Sequence, residues 1–301
     1  MIRADLVPKR IVLSRKGFDS SFGGCASPII DGRMVSLPIP ERNPKKSQLC
    51  FGELRKRQGA EIADLANQLS KGRIKDTDLL HLDPDLRAEL RDEQHAHFPF
   101  SFGQSGSSQS ELRDITTGDL FLFFGWFREA NKRAGQYEFC RESPDIFAIW
   151  GWLQVEERLE LPGKLTRAQT VAPHHPHVAH CVEKNNCLYA GMKSLSFLVD
   201  SHGAGVFTTL TDDRCLSDKQ QDLPPRKRRR TNWRLPAFFK NMHMTHIPHL
   251  SEWKLSGDCE SILGTAANYP GQEFIFETKG HENDVARWLE GIFNGKQRQY
   301  S

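Results

Sequence analysis

The first residues with the chemistry to bind an anion lie in a loop near the amino terminus. Eleven consecutive positions there combine cations, hydroxyl groups, a carboxylate and glycines: Ser14, Arg15, Lys16, Asp19, Ser20, Gly23 and Gly24. Cations and hydroxyls bind phosphate oxygens, and glycines let backbone amides approach an anion. The spacing matches neither GxxxxGK(S/T) nor GxGxxG, so a phosphate or nucleotide site and a solvated tight turn both remain open.

A second group of residues has the chemistry to recognise a base. The amides of Gln104 and Gln109 can read a base edge, and Trp126 and Arg128 can stack on a base plane. Aromatic residues within a hydrophobic run are usually core. We therefore expect the phenylalanines before Trp126 to be buried, and Trp126 and Arg128, at the polar end of the run, to be the better candidates for binding.

Two aspartates flank Pro84 in the sequence HLDPDLR. In an extended loop, Asp83 and Asp85 could bind a metal together or divide the roles of acid and base. Alternatively, Asp83 caps a short helix that DPDLRAEL suggests, with Pro84 at its first position. Two carboxylates alone do not make a metal site, so both interpretations stay open.

The sequence PHHPHVAHC is rich in potential metal ligands: His174, His175, His177, His180 and Cys181. The flanking prolines prevent a regular helix, and the segment contains neither CxxC nor HExxH. We therefore expect no metal site in it. His177 could instead serve as a general base or bind phosphate if the fold brings it to the first loop.

A basic run, RKRRR, occupies positions 226 to 230 close to Trp233. Such a run could neutralise several phosphates without specifying a base. An ordinary solvated loop has the same composition. The run ends a polar segment near residues 212–232, which we expect to be an exposed insertion rather than a domain boundary.

The hydrophobic pattern predicts the elements that would position these residues. Runs rich in aromatic and β-branched residues predict strands at residues 10–14, 119–127, 146–155, 187–190, 205–210 and 273–277. Apolar residues at helical spacing predict one helix over 54–69 and another over 285–293. The strands at 119–127 and 146–155 are expected to be neighbours in the core.

The bulk composition is that of a folded globular protein. The chain has 301 residues, of which 38% are hydrophobic and 26% charged, and its net charge of +3 is too small to imply nucleic-acid binding by itself. No stretch approaches the roughly 18 apolar residues of a membrane span. The seven cysteines lack a framework spacing, which favours reduced thiols and a cytoplasmic location.

Several of these motifs together resemble the third nucleotide-modification-associated domain family. The motifs that carry the resemblance are SRKGFDSSFGG, SPIIDGR, SLPIP, HLDPDLR, FGQSGSSQ, GDLFLFFGWFR and IWGWLQV. The resemblance covers most of the chain and implies a role in making or handling modified nucleic-acid bases in bacterial and phage systems. It carries over as a possible site Arg15, Lys16, Asp19, Ser20, Asp83, Asp85, Gln104, Gln109, Asp119, Trp126 and Arg128.

Together these observations predict one large α+β domain with a mixed, curved sheet or partial barrel and peripheral helices. The expected function is modification of a nucleotide or nucleic-acid base, with the phosphate held by the first loop. The catalytic candidates are Asp19, Asp83, Asp85 and His177. The binding candidates are Ser14, Arg15, Lys16, Ser20, Gln104, Gln109, Asp119, Trp126 and Arg128.

Two alternatives belong to other classes of function. GDLFLFFGWF followed by IWGWLQV is similar to strands of small barrels that hold flipped modified bases, so a non-catalytic reader is one alternative. The other is a metal-dependent nuclease or hydrolase that uses the aspartates and histidines. The sequence identifies no cofactor and no oligomeric state.

Overall fold

The computed structural model of the chain describes residues 2–47, 49–181, 183–245, 253–257, 260–265 and 273–295. The first strands are β1 (Arg10–Arg15), β2 (Ser27–Ile30), β3 (Arg33–Met34), β4 (Ile39–Glu41), β5 (Leu79–His81) and β6 (Ser101–Gln104). They are followed by β7 (Leu120–Arg133), β8 (Gln136–Phe139), β9 (Ile146–Leu161), β10 (Asn186–Gly191) and β11 (Ala204–Val206). The last are β12 (Asn232–Pro236), β13 (Met244–Thr245), β14 (Lys254–Leu255), β15 (Ser261–Thr265) and β16 (Glu273–Glu277).

Helices lie between and after these strands. The α-helices are α1 (Phe51–Leu54), α2 (Ala60–Leu69), α3 (Gly106–Glu111), α4 (Leu165–Val171), α5 (Pro176–Ala179) and α6 (Glu282–Asn294). Short 3-10 helices occupy Ala4–Leu6, Ala88–Leu90, Pro225–Lys227 and Ala237–Asn241. Helices at the periphery of mixed sheets make this an α+β fold, as predicted.

A large mixed sheet forms the centre of the described structure. Its strand order is β13-β16-β1-β7-β9-β10-β6, with β2, β3, β8 and β11 attached. Strand β1 runs parallel to β7, whereas β7 and β9 are antiparallel, so the two most hydrophobic segments are neighbours as predicted. Within the described residues the sheet does not close into a barrel.

The core lies where β7 crosses the middle of this sheet. Four consecutive residues of this strand, Phe121 to Phe124, are fully buried, because both faces of the strand are covered. Phe124 packs edge-on against Trp233 with a ring separation of 5.2 Å. The prediction that the phenylalanines before Trp126 belong to the core is confirmed.

The helix predicted over 54–69 is interrupted. The chain forms α1 and α2 with a turn between them, and α2 begins only at Ala60. A side chain at Gly59 would place its Cβ 2.9 Å from Leu90 and 3.0 Å from Leu54, so the turn brings the backbone close to the core at a residue without a side chain. The carboxy-terminal helix is present as α6, and it buries Val285 and Leu289.

The polar segment near 212–232 lies only partly on the surface. Leu216 is buried, and its amide donates to the Phe147 carbonyl over 2.9 Å, so the start of the segment packs against β9. The exposed part includes Arg226, Lys227 and Arg229. No helix among the described residues is long and apolar enough to span a membrane, and none of the six cysteines described is part of a disulfide.

Candidate functional site

A polar cleft of about 370 Å³ collects residues from four distant parts of the chain. The end of β1 contributes Arg15 and Lys16, and β5 with the loop after it contributes His81 and Asp83. The end of β6 contributes Gln104, and the short helix α5 contributes His177. All of these residues line the cleft: Arg15, Lys16, His81, Asp83, Gln104 and His177.

Two other cavities, of about 530 and 490 Å³, are larger but contain none of the predicted site residues. The first is lined by mixed surface charges such as Glu142, Lys219 and Arg228. Size alone therefore does not locate the site. The smaller cleft is the candidate because the predicted site residues converge on it: Arg15, Lys16, Asp19, Asp83, Gln104 and His177.

Asp83 is the centre of the cleft and is held by the backbone of a neighbouring strand. The Gly103 amide donates to Asp83 Oδ1 over 2.8 Å. The same oxygen lies 3.3 Å from His175 Nε2, while Oδ2 lies 3.5 Å from His177 Nε2 and 3.7 Å from His81 Nε2. Burial acts to raise the pKa of this carboxyl, but the three histidines hold it well below its ordinary value.

His175 has its tautomer set by the helix that it caps. The His177 amide donates to His175 Nδ1 over 3.2 Å at the start of α5. An imidazole that accepts at Nδ1 carries its hydrogen at Nε2 when neutral, and that atom faces Asp83 Oδ1. Complete burial lowers the pKa of His175 despite the nearby carboxylate, which favours this neutral form.

His177 is oriented by Asn186 at the start of β10. The Asn186 side chain donates from Nδ2 to the His177 carbonyl over 3.0 Å, so its Oδ1 faces His177 Nδ1 at 2.7 Å. An amide oxygen only accepts, so the network places a hydrogen on His177 Nδ1. Nε2 of His177 is thereby left facing Asp83 and the cleft.

His81 lies between two carboxylates. Its Nδ1 is 3.2 Å from Glu41 Oε2, and its Nε2 faces Asp83. Burial acts to lower the pKa of His81, but contact with Asp83 and Glu41 raises it to about 9. His81 ends β5 and Asp83 follows two residues later, and both side chains line the cleft.

The histidines of α5 require a residue without a side chain on β6. A Cβ at Gly103 would lie 2.4 Å from His177 Cδ2 and 2.8 Å from His175 Cε1. Real Cβ atoms do not approach other atoms this closely, so a glycine is needed for both rings to pack on the strand.

Lys16 and Gln104 meet over a buried carboxyl. Lys16 Nζ lies 3.1 Å from Glu273 Oε1, and Gln104 Nε2 donates to the same oxygen over 3.0 Å. Burial raises the pKa of Glu273, and the Lys16 ammonium opposes that effect. The Lys16 side chain is 11% exposed, and its ammonium also lies 4.8 Å from the centre of the Phe102 ring.

The first loop is shaped by Asp19. Its Oδ1 accepts the amides of Ser21 and Phe22, both over 2.7 Å, and Asp19 itself lines the cleft. Arg15 also lines the cleft, and burial lowers its pKa to about 10, against the attraction of Asp19. Ser14 is buried in β1 and Ser20 is exposed, and neither lines the cleft.

Asp85 does not face the cleft. Its two oxygens lie 3.0 and 2.9 Å from Arg91 Nε, and Oδ2 is 2.6 Å from His174 Nε2. Arg91 also donates to the Phe98 and Pro99 carbonyls, so the buried ion pair ties down the loop before β6. The interpretation of Asp83 as a helix cap is wrong, because the next helical turn starts only at Ala88.

Gln109 and Asp119 serve local packing and do not line the cleft. The Gln109 amide is buried in α3 and donates to the Tyr189 hydroxyl over 3.1 Å. Asp119 accepts the Arg10 and Thr116 amides over 3.0 and 2.9 Å, and fixes the turn before β7.

Trp126 and Arg128 also lie away from the cleft. The Arg230 guanidinium stacks on the Trp126 ring 4.3 Å from its centre. Arg128 donates from Nη2 to the Cys140 carbonyl over 2.9 Å. The stacking partner of Trp126 in the folded chain is therefore an arginine of the basic run.

Sequence reasoning did not identify His81, Glu41 or Asn186 as site residues. The spacing of His81 and Asp83 in HLDPDLR was an available signal, because alternate residues of extended chain share a face. Glu41 and Asn186 had no such signal. They reach the histidines through the pairing of β4 with β5 and through the contact of β10 with α5.

Comparisons with known proteins agree with the motifs. The sequence model of the family described as nucleotide modification associated domain 3 matches residues 10–277. The comparison with curated proteins finds no match, and neither does the comparison with solved structures. The matched range includes every residue that lines the cleft. The chain belongs to the nucleotide modification associated domain 3 family.

Proposed function

We propose that this protein is a cytoplasmic enzyme that modifies the base of a nucleotide or of a nucleic acid bound in the cleft. The observation that carries the proposal is the convergence of Asp83 and His177 with the cations Arg15 and Lys16 on one space of about 370 Å³. That volume lies within the roughly 300–1,000 Å³ of small-molecule sites. The family supports a connection with nucleotide modification.

Each group in the cleft has a role in this proposal. Arg15 and Lys16 attract the phosphate, and Asp19 shapes the loop that carries them. Gln104 offers an amide at the end of β6 that can hydrogen-bond to a base edge. His177 exchanges a proton with the reacting atom through Nε2, while the ionised Asp83 carboxylate orients and stabilises its ring, or both residues act through a bound metal.

Convergence favours an enzyme over a reader of modified bases. A reader needs stacking surfaces and base-edge contacts, whereas an enzyme needs acid, base and charge-stabilising groups around one position. His177 and Asp83 supply the second set. The aromatic residue expected to stack on a base, Trp126, packs instead against Arg230.

The test is incubation of the protein with a panel of nucleotides, single-stranded DNA, duplex DNA and RNA, each with and without added divalent metal. Products are read by mass spectrometry of digested nucleosides. We expect a mass change on one base with the unaltered protein, and none with His177→Ala or Asp83→Asn. His97→Ala is the matched control, because this histidine is exposed and does not line the cleft.

Binding measurements distinguish the reader. If the unaltered protein binds modified bases tightly but changes the mass of none, and His177→Ala binds equally well, the enzymatic proposal is wrong. If neither binding nor conversion occurs with any member of the panel, the cleft does not serve nucleotides.

A further inference from the structure

We propose that His81, Asp83 and His177 bind one divalent transition-metal ion in the cleft. The ligand atoms are Nε2 of each histidine and Oδ2 of the aspartate. The inference deepens the proposed function, since it concerns the same cleft, but its evidence is the geometry of these three side chains. It differs from the metal sites considered in the sequence, which drew either on PHHPHVAHC alone or on Asp83 with Asp85.

The separations between the ligand atoms suit a shared ion. One potential ligand atom from each residue lies within 4.8 Å of the others. Two atoms that are each about 2.1 Å from a metal lie roughly 3.0 Å apart at a right angle and about 3.4 Å apart at the tetrahedral angle. Asp83 Oδ2 is 3.5 Å from His177 Nε2 and 3.7 Å from His81 Nε2, so small side-chain shifts complete the site.

Direct hydrogen bonds do not account for the cluster. Both Nε2 atoms are farther from Asp83 Oδ2 than the roughly 2.7–3.2 Å of a nitrogen–oxygen hydrogen bond. Their separations of 3.5 and 3.7 Å bring three polar atoms at the wall of the cleft near one another without a close hydrogen bond among themselves. An ion between such atoms is one way in which their hydrogen-bonding capacity is satisfied.

Contacts behind the three ligands hold them in a metal-binding orientation. His177 Nδ1 is 2.7 Å from Asn186 Oδ1, and His81 Nδ1 is 3.2 Å from Glu41 Oε2. Asp83 Oδ1 accepts the Gly103 amide, which leaves Oδ2 for the ion. Metal-binding histidines commonly direct the second ring nitrogen to a carboxylate or carbonyl oxygen, which fixes the ring and its tautomer.

His175 is excluded from the ligand set by its own contacts. Its Nδ1 accepts the His177 amide, and its Nε2 faces Asp83 Oδ1 rather than Oδ2. This ring therefore positions the carboxylate. The protein supplies three ligands, and because all three line the cleft, the remaining coordination positions are open to water or substrate.

The ligand types indicate the class of metal. Imidazole favours zinc, iron, cobalt, nickel or copper over magnesium and calcium, which prefer oxygen ligands. Two histidines and one carboxylate with open positions are the arrangement found in many iron(II) enzymes, and three protein ligands are also usual for catalytic zinc. The geometry therefore points to a transition metal that can bind a further ligand.

The test is metal binding by the full chain in the absence of nucleotide. Protein stripped with a chelator is titrated with cobalt(II), whose visible absorption reports coordination, and in parallel with zinc(II) and anaerobic iron(II) by calorimetry. We expect one ion per chain and a rise in melting temperature. His177→Ala and Asp83→Ala should lose affinity by more than the roughly 10- to 100-fold typical of a residue that only orients a ligand.

Further variants distinguish a loss of metal ligands from a loss of folding. Asn186→Asp keeps an acceptor for His177 Nδ1 and should bind metal, whereas Asn186→Leu should lose about 10- to 100-fold in affinity. His97→Ala should bind like the unaltered protein. Each variant is compared with the parent in the metal-free state by circular dichroism and melting temperature, so that a loss of binding is read only on a folded chain.

The result that overturns the inference is a folded, unaltered protein that takes up no cobalt, zinc or iron, or that binds them equally well after His177→Ala and Asp83→Ala. A protein that takes up no metal but still converts a base would refute it and leave the proposed function standing. Stoichiometric metal at this cluster without conversion of any nucleotide would confirm the site and count against the proposed function.

Discussion

At the scale of single residues, the cleft depends on a position that has no side chain. Gly103 lies in a strand without unusual backbone angles, so its importance comes from space and not from conformational freedom. Its amide holds Asp83, and its open face accepts the rings of His175 and His177. One residue thus sets the distance between the carboxylate and the imidazole.

Gly103→Ala is expected to displace His177 while the fold is retained. The added Cβ would lie 2.4 Å from the His177 ring, and relief of that clash moves the ring away from Asp83. Overpacking of this kind costs about 1–3 kcal/mol of unfolding free energy. Urea unfolding measures this cost, and metal titration should show at least a tenfold loss of affinity.

Gly257→Ala is the matched control, because Gly257 is exposed, has an ordinary φ and has no atom within 4 Å of an added Cβ. It should change neither quantity. Unchanged metal binding in Gly103→Ala would mean that the ring separation is not set by this contact.

At the scale of elements, the site is assembled where short connections leave the ends of strands. The segment after β5 passes Asp83 and Asp85 and then reaches β6, where Ser101 pairs with Asp85. The two aspartates have different tasks there, since Asp83 faces the cleft and Asp85 faces Arg91. The buried pair of Asp85 and Arg91 stabilises the connection that presents Asp83.

Asp85→Asn is therefore expected to destabilise the protein. The substitution leaves the buried Arg91 guanidinium without its counter-charge, and breaking a buried ion pair costs about 3–5 kcal/mol. Chemical unfolding followed by circular dichroism measures the effect. Asp76→Asn, at a half-exposed carboxylate 3.0 Å from Arg55, is the control and should cost less than about 1 kcal/mol.

If the Asp85→Asn variant is as stable as the parent but no longer converts the base, the structural role assigned to Asp85 is wrong. Asp85 would then act in the chemistry, as the sequence suggested, and its contact with Arg91 would be of secondary importance.

At the scale of the whole molecule, the net charge is small and only part of the basic run at 226–230 is exposed. The net charge is +3, so no strong overall field draws nucleic acid to the protein. Arg230 is folded over Trp126, and Arg228 donates to the Leu223 carbonyl. The exposed cations of the run are Arg226, Lys227 and Arg229.

Replacement of these three exposed cations by glutamine should weaken binding of all nucleic acids alike and flatten its dependence on salt. For each duplex phosphate that the variant no longer neutralises, the slope of log affinity against log salt becomes shallower by about 0.9. Binding titrations at several salt concentrations measure that slope. Gln104→Ala, in the cleft, should instead change base preference with little effect on the slope.

This division of labour fails if the glutamine variant changes base preference. It also fails if the unaltered protein binds no nucleic acid at low salt, in which case a free nucleotide becomes the better class of substrate.

The sequence alone determined the family, the fold class and the principal strands. Hydrophobic periodicity is a local property, so β1, β7, β9 and α6 could be predicted from runs of neighbouring residues. The same local chemistry singled out Lys16, Asp83, Gln104 and His177, all of which line the cleft. The sequence did not predict that these residues would line the same cleft.

Only the tertiary structure decided which polar residues meet. His177 lies far along the chain from Asp83, and their contact depends on the register of β10 against β6 and on the packing of α5. The same packing draws Gln109 to Tyr189 and Trp126 to Arg230, away from the cleft. The type of a side chain determines which groups it can bind. Strand pairing, and the face of the strand or helix on which the residue lies, determine which groups it contacts.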